Sequence, residues 1–278
     1  MNPGHHIQFN LFPGGRDRCL ALTYDDAPQE DYRFVEILNR HGLRGTFHVN
    51  SGGMGRPDRV KREDMRSLYA NHEVSVHGVG HMHLDDLPPE ELVHEILEDR
   101  KRLEEVMEYA IVGMAHAFGS YNAKAVAMLS ALGFRYARPV AFTRKYVLPE
   151  DYMHWNPTCH HNDDILARWE QFMTLRNWGK PRLFYLFGHS YEFERGNNWH
   201  IIEDFAKTAG GHPEVWYATS IEVAEYVASF RNVRLTADRS RITNRNADPV
   251  WVTADGMPLE VPGGATVVLP ALVETAGA

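Results

Sequence analysis

The 278-residue chain has only two cysteines, Cys19 and Cys159, too few for a disulfide framework. Cys19 opens an apolar run and reads as a small buried hydrophobe. Cys159 stands beside His160 and His161, where a ligand role is the less economical reading. Basic residues are not in excess: 29 Lys and Arg against 37 Asp and Glu give a formal net charge of -8. That balance argues against nucleic acid or an anionic membrane as partner, since little is left over to neutralise phosphates. No apolar stretch approaches the roughly 18 residues of a membrane span. Met1-Asn2-Pro3-Gly4-His5-His6 lacks the charged and apolar regions of a leader, so a cytoplasmic location is expected. Gly52-Gly53-Met54-Gly55 follows a strand pattern, but its glycine spacing is wrong for a dinucleotide turn and no helix opens at its last glycine. Repeats and low-complexity segments are missing too.

What remains is the composition of an ordinary globular protein, 44% hydrophobic and 24% charged. β-prone apolar runs occur at Cys19 to Tyr24, Gly45 to Val49, Glu73 to Val76, Val112 to Phe118, Phe134 to Val140, Arg182 to Phe187 and Val215 to Thr219. Between them lie segments of helical period: Tyr32 to His41, Glu63 to Asn71, Pro89 to Tyr109, Ala123 to Leu132, Asp163 to Asn177 and Trp199 to Ala209. The third is the clearest, with Leu92, Ile96, Leu103 and Val106 on one face. About seven strand–helix units predict a parallel sheet closing into a (β/α) barrel, with an open doubly wound sheet as the alternative. From about Asn232 the pattern changes to short alternating strands, Val233 to Arg241, Val250 to Thr253 and Met257 to Val261. So little β structure cannot bury enough surface alone. The expectation is a barrel over 1–230 and a small β-rich extension over 231–278 packed on it.

Three segments that follow strand patterns carry chemistry. Tyr24-Asp25-Asp26 places two carboxylates side by side, and they repel unless a cation or proton separates their roles. For an isolated pair a solvated Asp-Asp-Ala-Pro turn is the better explanation; its position at a strand end, where catalytic side chains of a barrel sit, favours chemistry instead. His77-Gly78-Val79-Gly80-His81 offers two imidazoles that a loop can bring to one metal. His72 and His83 lie near, so spacing alone does not choose among the four. His189, after Phe187-Gly188, is placed to protonate a leaving group. His160-His161-Asn162-Asp163-Asp164 reads either as a polar cluster or as a helix start capped by Asp163 or Asp164.

Taken in order, these motifs resemble the polysaccharide deacetylase family, also called the NodB homology domain, over roughly residues 18 to 230. Thr23-Tyr24-Asp25-Asp26 looks like its first motif and His77 to His81 like its His-x-x-x-His motif. Gly45-Thr46-Phe47-His48-Val49 is similar to its second strand, and Leu186-Phe187-Gly188-His189 to its last motif. The resemblance implies an incomplete, distorted (β/α) barrel of about seven strands with a small C-terminal β appendage. It implies one divalent ion on Asp26, His77 and His81, most simply Zn²⁺, with Co²⁺, Ni²⁺ or Mn²⁺ as alternatives. Asp25 would be the catalytic base and His189 the general acid. Two departures stand out. The third motif carries Met114-Ala115-His116-Ala117-Phe118-Gly119 where an Arg usually steadies the base, and Arg138 or His116 would have to replace it. The fourth is matched only loosely by Asp151 to Trp155. Trp155, His160, His161, Tyr191, Glu192 and Arg138 are the candidate substrate-binding residues. The expected function is metal-dependent removal of an N-acetyl group from an amino sugar or oligosaccharide. The alternatives are a hydrolase of cyclic imides, ureides or N-formyl amino sugars, and a weakly active metal-containing sugar-binding protein.

Overall fold

Parity along one long strand decides the architecture. The computed structural model, which describes residues 4–176 and 179–270, starts with β1 (Ile7–Gln8) and β2 (Arg18–Asp25). Leu20, Leu22 and Tyr24 of β2 belong to one buried cluster, Cys19 and Ala21 to another. Successive side chains of a strand point to opposite faces, so β2 is covered on both, as in a central parallel strand. The same alternation recurs in β3 (Gly45–Val49), β4 (Glu73–Val76), β5 (Gly113–Ala115), β6 (Tyr136–Arg138), β7 (Cys159–His160), β8 (Arg182–Gly188) and β9 (Val215–Tyr217).

These strands form one sheet in the order β6-β5-β4-β3-β2-β8-β7, with β9 added on β2, and every pairing is parallel. β9 pairs with Arg18 to Leu20 at the start of β2, and β3 with Leu22 to Asp25 at its end. Among the described residues β6 and β7 do not pair, so the ring stays open. The fold is the incomplete, distorted (β/α) barrel expected. The helices are α1 (Asp31–Arg40), α2 (Arg62–Leu68), α3 (Pro89–Met107), α4 (Ala123–Ala131), α5 (Ile165–Thr174), α6 (Tyr191–Arg195), α7 (His200–Ala209) and α8 (Ser220–Phe230). Phe34, Ile96, Leu129, Phe172 and Phe205 from this layer pack on the outward strand residues. Each such side chain contributes about 1.5–3 kcal/mol on burial.

The inward face grows polar along the strands. On β2 it runs Cys19, Ala21, Thr23, Asp25, all buried. Buried Glu73 accepts from Thr46 Oγ1 at 2.8 Å and from the Tyr136 hydroxyl at 2.7 Å, and His48 Nε2 lies 2.7 Å from Thr23 Oγ1. The inner column is thus lined with hydrogen-bonded polar pairs, and Asp25 stands at its end.

Several elements differ from the sequence expectation. Strands predicted over Val112 to Phe118 and Phe134 to Val140 shrink to three residues each, because the chain turns at Ala117–Gly119. The strand β7 and the helix α6 are too short to show a period, whereas α8, eleven residues long and opened by a capping box of Thr219 and Glu222, was missed despite that start signal. The predicted helix ending at Asn177 stops at Thr174; Asn177 lies outside the described residues. Val233 to Arg241 is not one strand but the whole of β10 (Val233–Leu235) and the start of β11 (Arg241–Asn244), divided by a turn in which Asp238 accepts from Thr236 and Ser240. With β12 (Val250–Ala254), β13 (Met257–Val261) and β14 (Thr266–Val268) these make two antiparallel three-stranded sheets, β1-β12-β13 and β10-β11-β14. They share a small core of Val233, Ile242, Val250, Val252 and Val261 and rest on α8, where Trp251 N donates to the Tyr226 hydroxyl at 3.0 Å. The remainder of the expected extension, 271–278, lies outside the described residues. No helix among the described residues is long and apolar enough to cross a membrane.

Candidate functional site

Loops at the ends of β2 and β4 bring the first candidates together. Asp26 leaves β2 with φ 76° and His81 ends its loop with φ 56°. Both lie in the left-handed region, which costs a non-glycine residue about 1–3 kcal/mol. Asp26 N donates to His48 O at 2.9 Å, which fixes the carboxylate beside β3. The His77 to His81 loop is gripped by two buried acids of α3. Asp99 Oδ2 accepts from the backbone of His77 and Gly78, both at 2.9 Å, and Glu95 accepts from Gly80 and Met82, both at 3.0 Å. Gly78 has to be glycine: its φ is +89°, and a Cβ there would fall 2.5 Å from Glu95 Oε1.

Sequence reading missed Glu95 and Asp99. The signal was present, since both lie within the apolar stripe of Leu92, Ile96 and Leu103, where an unpartnered acid is expensive. Burial pushes Asp99 up to about 6, even though its backbone donors favour the charged form.

The grip aims three donor atoms at one point. His77 Nε2 and His81 Nε2 are 3.2 Å apart, and Asp26 Oδ1 lies 3.7 and 3.4 Å from them. Ligands of a tetrahedral ion at zinc-like bond lengths sit about 3.3 Å apart. His77 Nδ1 faces the Ala115 carbonyl at 2.8 Å, so that nitrogen carries the proton and Nε2 presents its lone pair. Burial and the neighbouring His77 hold His81 below its ordinary value, favouring the neutral form that a metal requires. Asp26 Oδ1 is buried without a hydrogen-bond donor. The three atoms form a group that could hold a cation.

Asp25 points into the barrel beside this cluster. Arg138, fully buried at the end of β6, donates from Nη2 to both of its carboxylate oxygens. Burial would raise Asp25, but the Arg138 guanidinium, then His77 and His189, hold it well below the usual carboxylate range. Arg138, expected at the substrate or as a substitute for the missing Arg, therefore occupies the second of these positions. His116, the other possible substitute, is buried against Tyr121 and reaches no carboxylate.

His189, just past the end of β8, comes to 3.9 Å from Asp25 Oδ2 through Nε2, while its Nδ1 lies 3.2 Å from Glu192 Oε1. Burial works to lower its pKa. The Glu192 bond and the charges of Asp25 and Asp26 outweigh that, and it rises. His160 and His161 gather on the other Glu192 oxygen at 3.1 and 2.8 Å. Tyr191 stacks near His189 at 4.9 Å. The cap reading holds for Asp164, whose Oδ1 accepts from Ala167 N, but not for the histidines.

Trp155 is a correction. Expected to face a sugar, it is 1% exposed between Tyr136, Tyr152 and Tyr185, so neither face of its ring is open. Cys159 is buried and free. The aromatic ring that does face outward is Phe118, 57% exposed, stacked on His83 at 4.2 Å and edge-on to His81 at 4.5 Å. Its φ of 56° is a further strained backbone position in this neighbourhood.

Residues 13–137 match the family model described as polysaccharide deacetylase. Among solved structures, a Mycobacterium smegmatis protein provisionally named a polysaccharide deacetylase matches with TM-score 0.60 and 18% identity, over 79% of this chain and 93% of that one. The Puue allantoinase matches with TM-score 0.60 and 14% identity, over 77% and 91%. The chain spans 61% of the Streptococcus pyogenes deacetylase PplD, solved in complex with acetate; that match takes in 48% of this chain at 17% identity and TM-score 0.45. At such identities the two likenesses at TM-score 0.60 speak for the fold.

Proposed function

We propose, from the match of residues 13–137 to the polysaccharide deacetylase family model and from the site geometry, that the protein hydrolyses a carbon–nitrogen bond with the help of one divalent ion, removing an N-acetyl group from an amino sugar or oligosaccharide. The observation that carries this reading is the convergence of Asp26 Oδ1, His77 Nε2 and His81 Nε2, with Asp25 and His189 beside them. Asp26, His77 and His81 would hold the ion, most simply Zn²⁺, whose chemistry when bound is to polarise an amide carbonyl and acidify water.

The remaining work falls to the chain. Asp25, kept ionised and oriented by Arg138, takes the proton from the attacking water. His189 gives a proton from Nε2 to the departing nitrogen, because an amide anion is too basic to leave unprotonated. Glu192 holds Nδ1 of the same ring, so Nε2 points toward the reacting atoms. Atoms balance as acetate and a free amine. Phe118 is the proposed platform for the apolar face of a sugar ring, its strained backbone being a cost that function explains. In this reading the barrel expected over 1–230 is catalytic and 231–278 an accessory β extension, with the correction that β1 (Ile7–Gln8) pairs with β12 and so belongs to the extension.

The test is an acetate-release screen over N-acetylated oligosaccharides, N-acetyl monosaccharides and cyclic amides, with Asp25→Asn alongside the parent chain. Acetate from the sugars, and a loss of about 10²-fold or more in Asp25→Asn with metal content unchanged, is expected. Turnover of cyclic amides alone would move the reading to a small-molecule hydrolase. Full activity in Asp25→Asn would remove Asp25 from the base role.

A further inference from the structure

Glu192 is a carboxylate that three imidazoles share. His189 Nδ1 lies 3.2 Å from Oε1, while His160 Nε2 and His161 Nε2 lie 3.1 and 2.8 Å from Oε2. The three rings come from different strand ends: His160 closes β7, His161 follows it, and His189 follows β8. The cluster passes a crude distance criterion for holding a cation, but its proton inventory points elsewhere. Asn162 N donates to His160 Nδ1 at 3.2 Å, so that nitrogen carries the lone pair and Nε2 carries the proton facing Glu192. A ring with its proton on that side turns an N–H, not a lone pair, toward the carboxylate and offers no metal ligand there.

His161 is placed with more care than a rim residue needs. Its side chain is fully buried, lies 4.2 Å from the Phe193 ring, and stacks at 13° to Tyr24. A Cβ at Gly188 would fall 2.0 Å from its Nδ1, so the strand that leads to His189 must be glycine there for His161 to fit. Burial draws His161 down to about 4, leaving it neutral with one N–H to give. Burial would raise Glu192, yet its contacts with His160, His161 and His189 hold it below the usual carboxylate range. The other groups that face this network are Asp25 and Asp26 at the end of β2, Tyr24 within it, His81 in the loop after β4, and Tyr191 and Arg195 on α6.

We infer that His160 and His161 are positioning residues, which clamp Oε2 of Glu192 so that Oε1 fixes the ring of His189. They touch neither substrate nor the reacting atoms. This replaces the expectation that both line a substrate rim, and it rests on the proposed role of His189 as proton donor. A carboxylate on the five-residue helix α6 is otherwise free to swing about its side-chain bonds. Two imidazole nitrogens at 3.1 and 2.8 Å from the oxygen away from His189 restrict that freedom by close polar contact rather than by aligned hydrogen bonds, and one of the rings is locked in the core.

The experiment uses the full chain with His161→Phe, which preserves the packing between Tyr24 and Phe193 while removing the N–H, together with Glu192→Gln and the double variant. Folding is checked by near-ultraviolet circular dichroism. His161→Phe and Glu192→Gln should each lower kcat by about tenfold or more with KM unchanged, as loss of a proton-transfer contribution does. The double variant should be no worse than Glu192→Gln alone, because His161 acts through Glu192. A rise in KM alone, or additive losses in the double variant, would overturn the inference. One readout does not depend on turnover: a downfield ring N–H proton resonance of His189, present in the parent chain and lost in both single variants. Its persistence in His161→Phe overturns the clamp, whereas its loss in a chain that releases no acetate retains the clamp and sinks only the deacetylase reading.

Discussion

Two clusters of the same residue types, a carboxylate among histidines, stand at neighbouring strand ends and differ in where the protons are. Around Asp26, the Ala115 carbonyl takes the Nδ1 proton of His77, so a bare Nε2 meets a carboxylate oxygen that has no donor. Around Glu192, Asn162 N fills the lone pair of His160 Nδ1, and the proton sits on the side of the carboxylate. The first cluster turns a lone pair of His77 toward its carboxylate, and the second turns an N–H of His160 toward its own. Composition and distance alone make them look alike. The partner of the far ring nitrogen tells them apart.

The largest expected effect breaks this comparison outright. His77→Ala should take the bound divalent ion from about one per chain to none and lower acetate release by more than about 10³-fold, while Glu192→Gln should leave metal content unchanged. Metal analysis of the two purified variants decides it, and loss of metal in Glu192→Gln would make the clusters equivalent after all.

The next effect concerns the buried pair that lies between them. Arg138→Met leaves the Asp25 carboxylate buried and unpaired, at a cost of about 3–5 kcal/mol in urea unfolding at neutral pH. The sign with pH follows from the depressed Asp25. Its pairing stabilises fully above the ordinary carboxylate range and loses that stability as pH falls through the folded-state value. Without Arg138, burial is opposed only by the weaker pull of His77, His189 and His48, so Asp25 rises and the acid limb of the rate profile should move to higher pH. An unmoved acid limb would show that Arg138 does not set the base.

The smallest effect lies deeper in the inner column. Burial pushes Glu73 up to about 7 against the bonds from Ile221 N, Tyr136 and Thr46. A raised carboxyl stabilises fully below its unfolded value, and that contribution is lost as pH rises through the folded value. Glu73→Gln should therefore flatten the stability profile between about pH 4.5 and 7, by about 1–3 kcal/mol. Identical unfolding midpoints across that range in both chains would contradict the assignment. This change should leave metal content untouched.

The strand ends of the site were legible because each is a polar cluster after an uninterrupted apolar run: Asp25 and Asp26, His77 and His81, His189. The barrel was legible from the alternation of strand and helix patterns. What escaped notice had either too few residues to show a period or the wrong company. The two residues of β7 are too few for a pattern to be read, and β5 and β6, though expected, are shorter than their apolar runs. Glu95 and Asp99 were taken with the charged residues of an amphipathic helix, although their spacing sets them on its buried side. Trp155 was misread because aromatic identity alone does not say whether a ring faces a ligand or the core. Arg138 was named in two roles, and only its reach to Asp25 chooses between them.

The thiols of Cys19 and Cys159 lie on opposite faces of the sheet, the former among the inner residues and the latter against the helical layer, and neither is exposed. Burial, with a smaller push from Glu222, raises Cys19 well above an ordinary thiol, and burial chiefly takes Cys159 to about 12. Neither forms the nucleophilic thiolate while the barrel is closed. A thiol-reactive dye would therefore label the chain only when the wall between helices and strands, or the interior itself, comes apart. Nature has left two silent reporters, one on each side of the same sheet, that time the opening of each layer separately.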